Sequence, residues 1–405
     1  MTPGVLAKLA WSLPWLSRYP FWRARELLSR VMDRSGPCHL IFLVVNHFEP
    51  SWNENGEVLT WATQRARLDD WVRKARAIGQ AVRDSEGTPY RHTYFYPAEQ
   101  YHVSLLEKLA ELQSEGLGEI EIHLHHGVDK PDNPANCRQT LETFRDILAQ
   151  EHKCLSRCNG VGDPMYGFVH GNLALANSSG GRYCGVDSEM QILAETGCYA
   201  DFTLPAAPLQ PQVPRINAIY QCGHALDQAK PHRSGPSLRV GVRPQLPVIF
   251  TGPLVFNWRR RVWGFPVPRL DDGVLMENYP LDLARLRRWR GAHISVRGRP
   301  EWIFIKLYCH GFFPLDQAMT VGEPLRRFMG EVLEYGHRSE EYKIHFATAR
   351  EAFNIVMAAV DGHSGEPGQY RDYLLRSLMK GEPAHTAADS FCPHANFDRP
   401  RAGLP

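Results

Sequence analysis

The sequence predicts an α/β fold: a parallel sheet with helices between its strands, closing into a (β/α) barrel that carries a long proline-rich insertion and extra C-terminal helices. Three observations lead there. Apolar runs of strand length alternate with helix-length amphipathic segments, without an internal repeat. Polar and ionisable residues collect at the C-terminal ends of these runs, where α/β enzymes build their sites. And the stretch from Gly118 to Asp129 begins as an alternating strand and ends as a cluster of histidines.

The elements follow in order. Residues 1–37 form a leader that mixes Trp11, Trp15, Tyr19, Phe21 and Trp22 with Lys8, Arg18, Arg23, Arg25 and Arg30. It reads as an aromatic and basic helix, packed on the domain or, through residues 5–30, lying on a membrane surface; its scattered basic residues do not suit a signal peptide. The barrel is expected over 38–380. His39 to Val45 is a continuous apolar run, hence a strand buried on both faces, and it ends in Asn46-His47-Phe48-Glu49-Pro50. A helix over 62–83, a strand over 90–97 and a helix over 103–115 come next; Gly116 and Gly118 close that helix. In the histidine strand Ile120, Ile122 and Leu124 alternate with Glu121, His123 and His125. A helix over 138–155, a strand over 165–170, a short helix ending before Gly197 and a strand over 199–203 continue the alternation. Residues 205–247 carry eight prolines and form an irregular insertion. A strand over 246–250, a helix over 281–289 and a seventh strand over 302–307 follow. Thr320 and Glu323 suggest a capping box for a helix to about Tyr335. A further amphipathic helix is expected over 343–360, and 381–405 reads as a disordered tail.

Composition narrows the function. The chain has 405 residues, 43% hydrophobic and 22% charged, which suits folded protein. Its 46 basic and 44 acidic residues leave a net charge of +2, so nucleic acid is not an expected partner. Nine scattered cysteines suit reduced thiols in a cytoplasm better than a disulfide scaffold. Leu40 to Val45 is the longest useful apolar run, far short of a bilayer. The expected location is therefore cytoplasmic, with membrane association open. No GxGxxG or P-loop pattern supports nucleotide binding.

The strand ends offer Asn46, His47 and Glu49, then Glu121, His123, His125 and Asp129, then His170 and Asn172, Asp201, and finally His310. Such an inventory points to hydrolysis assisted by a divalent metal, zinc favoured. His125 and Asp129 stand four residues apart and would share a side if a helical turn followed the strand, with His123 and Glu49 as further ligands. His310, after the last strand, would face that cluster and serve as a proton donor. Tyr96 and its neighbours Tyr94 and Tyr101 form either a sugar platform or core. Trp258 to Trp263 mixes arginine with aromatic groups, as a sugar-stacking or a solvated loop would.

In the order and spacing of these motifs the chain resembles the polysaccharide deacetylase superfamily. Asn46 to Pro50, His125 with Asp129, and Leu307 to His310 stand where that family carries its aspartate pair, its histidine ligands and its last-strand histidine. It is similar, more narrowly, to an uncharacterised bacterial branch through residues 95–101, 121–126, 166–172 and 198–205. The resemblance implies a distorted seven-stranded barrel and a metal-dependent hydrolase of polysaccharide or oligosaccharide, removing an N- or O-acetyl group from an envelope polymer or its precursor. It also implies that Asn46 replaces the family's base, leaving His47, Glu49 or Glu121 for that duty. His170, Asn172, Asp201 and Tyr96 are then the expected substrate contacts. Two alternatives stay open: a degenerate barrel that binds glycan without turnover, and a glycosidase, which needs two carboxylates across the mouth from among Glu49, Glu121 and Asp201.

Overall fold

A computed structural model describes residues 4–24, 37–259 and 261–380. The expected tail over 381–405 lies outside the described residues, as does most of the second half of the leader. The centre is a mixed, mostly parallel sheet. In spatial order it runs β8 (Trp302–Cys309), β1 (Cys38–His47), β2 (His92–Pro97), β3 (Gly118–Leu124), β4 (Val161–His170), β5 (Cys198–Asp201) and β7 (Val248–Phe250), all parallel. The antiparallel β6 (Ile219–Gln221), from the proline-rich stretch, covers the far edge.

Parity along β1 explains how the sheet is sandwiched. Leu40, Phe42 and Val44 join the core under the outer helices, among them α2 (Trp61–Ala81) and α3 (Val103–Ser114), whereas Ile41, Leu43 and Val45 point to the concave side. A strand buried on both faces must be apolar throughout, as this one is. The concave side is filled by a C-terminal helix, Ala349–Val360, in which every residue is buried. Thr348 and Glu351 start it with a reciprocal capping box, and Arg350 anchors it by a two-pronged ion pair to Glu119 at the start of β3, 2.7 to 3.1 Å long.

Several expectations need correction. A closed ring of seven strands is not what the sheet shows: among the described residues no ladder joins β7 to β8, and the full sheet has eleven strands. Side chains meet across that gap, with the Phe250 and Phe304 rings 5.4 Å apart, and the Lys306 ammonium of β8 reaches further to donate to the Phe202 carbonyl just past β5. Residues 342–346 are not helical. They form β9 (Tyr342–Phe346), parallel to the first half of β1, and the helix begins only at Ala349. Thr320 lies inside the helix Pro314–Val321, and Gly322 precedes the next helix, Glu323–Ser339, without a side-chain cap. Among the described residues seven cysteines are free thiols, but Cys158 is disulfide-bonded, against the expectation of reduced thiols throughout.

In the leader, α1 (Val5–Leu16) packs Trp15 against Phe256, with ring centroids 5.9 Å apart. Its other side leaves Val5, Leu6, Leu9 and Leu13 exposed. No described helix is long and apolar enough to cross a membrane.

Candidate metal centre and cleft

Register fixes which residues meet. Asn46 pairs with Cys309, His47 with Phe95, and Pro97 with His123, so the C-terminal ends of β1, β2, β3 and β8 lie at one level. Alternation then turns His47 and His123 to the concave side. There they meet Glu49 and His125, just past the ends of β1 and β3, and His310, just past β8.

Glu49 is the hub. Its Oε1 lies 3.3 Å from His123 Nε2 and 3.7 Å from His125 Nε2, and Glu49 also groups with His47 and His310, with one donor atom of each within 4.8 Å of the others. The outward nitrogens decide the tautomers. His123 Nδ1 is 2.8 Å from the Val169 carbonyl, and His125 Nδ1 is 2.6 Å from a Glu99 oxygen. A carbonyl and a carboxylate only accept, so both Nδ1 atoms carry protons and both Nε2 lone pairs face Glu49. Two imidazole lone pairs and a carboxylate converging on one point, with a second carboxylate behind one imidazole, match the donor set of a divalent metal.

Electrostatics agree with that arrangement. Burial alone would raise the Glu49 carboxyl, but the surrounding imidazoles of His123, His310 and His125 outweigh it and hold it at about 2. Burial lowers His123 and His310 and, reinforced by His310, pushes His47 well below the usual imidazole range. Both His47 and His310 are therefore neutral near pH 7. Their rings are 4.8 Å apart, and His310 stacks on Phe313.

The cluster opens into a cleft of about 720 Å³, lined by His47, Glu49, His125, Tyr308 and His310 from the strand ends. Trp52, Asn172, Arg182, Tyr183, Leu209 and Phe313 form its walls. Aromatic faces with a few polar tips suit a sugar-sized ligand.

The other expected site residues fall elsewhere. Asp129 is exposed and outside the cluster: no helical turn follows β3, because Gly127 at φ 64° swings the chain away. Glu121 is buried deeper in the sheet, accepting 2.6 Å hydrogen bonds from Tyr199 Oη and the Gly167 amide, and burial pushes it up to about 8. Asp201 is fully buried and accepts from the Thr203 hydroxyl at 2.7 Å; it does not line the cleft. Tyr96 is core, its hydroxyl bonded to the Gln100 carbonyl at 3.1 Å. His170 is also out of reach, enclosed in a separate buried group with His126, Cys184 and Glu189. Asn172 does line the cleft. Asn46 sits at no catalytic position. It faces the outer helices, takes the Gly311 amide at 3.0 Å and lies 3.5 Å from His92.

No protein-family model matches this chain, and no curated protein does. Among solved structures, a GH57 branching enzyme from the hyperthermophilic archaeon Thermococcus kodakaraensis, crystallised with glucose, superposes with a TM-score of 0.38 at 12% identity. The superposition covers 81% of this chain and 72% of that one. At that level the likeness carries no argument about activity.

Sequence reasoning missed Glu99, which orients His125, and Trp52, whose ring lies 5.1 Å from the His125 ring. A signal for Glu99 was present: it follows the end of β2 by two residues, as Glu49 follows β1.

Proposed function

We propose that this protein is a metal-dependent hydrolase of carbohydrate, removing an acetyl group from an N- or O-acetylated envelope polysaccharide or its precursor. The observation that carries the reading is the convergence of His123, His125 and Glu49, backed by Glu99, at the floor of an aromatic-walled cleft with two neutral imidazoles beside it. His123, His125 and Glu49 would hold a divalent ion there, zinc favoured, which would supply Lewis acidity toward an acyl oxygen and a lowered pKa for water.

The chain's own groups supply the rest. His123 and His125 are fixed by Val169 and Glu99, so their Nε2 atoms need no reorganisation to act as ligands. His310, kept neutral by burial, accepts a proton during attack and returns it to the departing amine or alkoxide. His47, the residue beside it, shares that duty in place of the aspartate that Asn46 replaces in the sequence pattern. Trp52 and Tyr183 offer faces for a sugar ring, and Asn172 and Arg182 offer donors for its oxygens. Turnover by glycosidase chemistry is less well supported. Of the three carboxylates the sequence offered for it, only Glu49 reaches the cleft, and it is held by imidazoles.

Contact with a membrane surface belongs to the same reading. The exposed Val5, Leu6, Leu9 and Leu13 of α1, followed in the chain by the exposed Arg18, give the leader an apolar stripe with a basic residue after it. Such a surface would bring the cleft to an envelope precursor.

The test is metal content with acetate release from an acetylated oligosaccharide. Glu49→Gln and His125→Ala should lose the cleft ion and all turnover, and Asp129→Ala should keep both. If Glu49→Gln and His125→Ala retain full metal and full rate, the assignment fails.

A further inference from the structure

Behind the cleft wall lies the second group, and its geometry asks for a cation. His126 Nε2 is 3.0 Å from His170 Nε2 and 2.8 Å from Glu189 Oε1, while His170 Nε2 is 3.3 Å from that same oxygen. Cys184 Sγ completes the set, 3.6 Å from Glu189 Oε2. The four donor atoms all lie within 4.8 Å of one another, and all four side chains are buried. Tetrahedral zinc with bonds of about 2.0–2.1 Å to nitrogen or oxygen and about 2.3 Å to sulfur gives donor separations of roughly 3.3 to 3.6 Å. The observed spacings bracket these.

The protons point the same way. His126 Nδ1 lies 2.8 Å from Asp132 Oδ2, and His170 Nδ1 meets the Gly171 carbonyl. Both acceptors require Nδ1–H, so the two Nε2 lone pairs confront each other across 3.0 Å with a carboxylate oxygen beside them. Without positive charge in the middle that contact is repulsive. Asp132 is itself fixed, accepting from Asn136 Nδ2 and the Asn133 amide at 2.8 Å, which gives one histidine the carboxylate backing typical of a metal ligand. The Val186 amide donates to Cys184 Sγ at 3.5 Å, as suits a thiolate.

We infer that His126, His170, Cys184 and Glu189 bind a second divalent ion, zinc by its N₂SO donor set, in a closed structural site distinct from the cleft. None of the four lines the cleft, so no position is open to substrate. Its work is to hold the wall. Asn172, Arg182 and Tyr183, which line the cleft, belong to the segment between ligands His170 and Cys184. That segment is irregular, with Asn172, Leu173, Ala176, Asn177 and Tyr183 all at positive φ, a conformation that side chains rarely adopt unaided. His125 and His126, adjacent on one chain, face the two sites from opposite sides.

The cysteine makes the two sites separable by spectroscopy, because the cleft cluster contains none. The full-length protein, purified, stripped with a chelator and reloaded with cobalt(II), should show a near-ultraviolet thiolate-to-cobalt charge-transfer band. Cys184→Ser should abolish that band, and His125→Ala should leave it. Metal analysis should find Glu189→Gln short by about one zinc equivalent per chain with the cleft ion retained, and chelation should lower the melting temperature of wild type and of His125→Ala alike. Absence of the band in folded wild-type protein that takes up cobalt, or a band that survives Cys184→Ser, overturns the inference whatever the fate of the cleft ion. A melting temperature indifferent to chelation would do the same, showing that the group is held by protons instead.

Discussion

At the scale of single residues, Asn46 shows how parity governs what a side chain can do. One position along a strand separates the two faces of the sheet, so His47 enters the site while Asn46 faces the outer core. Asn46→Asp should therefore create no activity. It should instead lower stability by about 2 kcal/mol, seen in chemical denaturation, by placing a carboxylate beside the buried His92. A stable variant that releases acetate faster would contradict this placement. His92 itself, packed on Trp71 and Tyr94, is held at about 3 by burial. Because its unfolded value is near 6.5, only the unfolded chain takes up this proton as pH falls below 6.5. Stability is then lost progressively down to about pH 3, by at most about 1.4 kcal/mol per pH unit. The stability of His92→Phe should fall less steeply between pH 6 and 4; parallel slopes would remove His92 from the account. Glu121→Gln should fold and turn over within about tenfold of wild type, since its oxygens serve Tyr199 and Gly167 and not the cleft. Of these placements, His123 and Glu49 were legible from alternation and strand ends. Asp129 was misjudged because a spacing of four residues implies a shared side only on a helix, and Gly127 turns the chain instead.

At the scale of elements, the C-terminal helix is the piece that the rest closes around. Its ion pair between Arg350 and Glu119 joins two segments far apart in sequence, and Asp372 adds a 2.7 Å bond to the same guanidinium. Arg350→Met leaves Glu119 buried without its partner and should cost about 3–5 kcal/mol in unfolding free energy. A melt unchanged by that substitution would mean the helix is held by its apolar contacts alone. The sequence announced this helix through its apolar richness but not its start. Tyr342 to Phe346 is only five residues long, too short for its alternation to stand out from the helical pattern that follows. The buried arginine pair was illegible, because a charge inside a core is recognised only once its distant partner is in view. α1 supplies the remaining prediction at this scale. Leu6→Asp combined with Leu9→Asp should abolish co-sedimentation with anionic liposomes and leave the melt unchanged, since both positions are exposed. Equal sedimentation of variant and parent would dismiss the membrane contact.

For the molecule as a whole, the parallel order of strands was readable because each continuous apolar run fits only a strand covered on both faces. Ring closure was not readable, since it depends on whether β7 and β8 come into register across a gap that side chains fill instead. The cleft was readable as a collection of strand ends, while the four-residue group behind it was not: His126 and Glu189 are separated by 63 positions and by several elements. The central claim is that chemistry in the cleft depends on an ion held by Glu49, His123 and His125. Its most direct measurement is acetate release from an N-acetylated oligosaccharide by the same protein before chelation, after chelation and after zinc is restored, with Glu49→Gln alongside. Activity that disappears with the metal, returns with zinc and never appears in Glu49→Gln is the predicted result; acetate release untouched by chelation, or equal in Glu49→Gln, would contradict it.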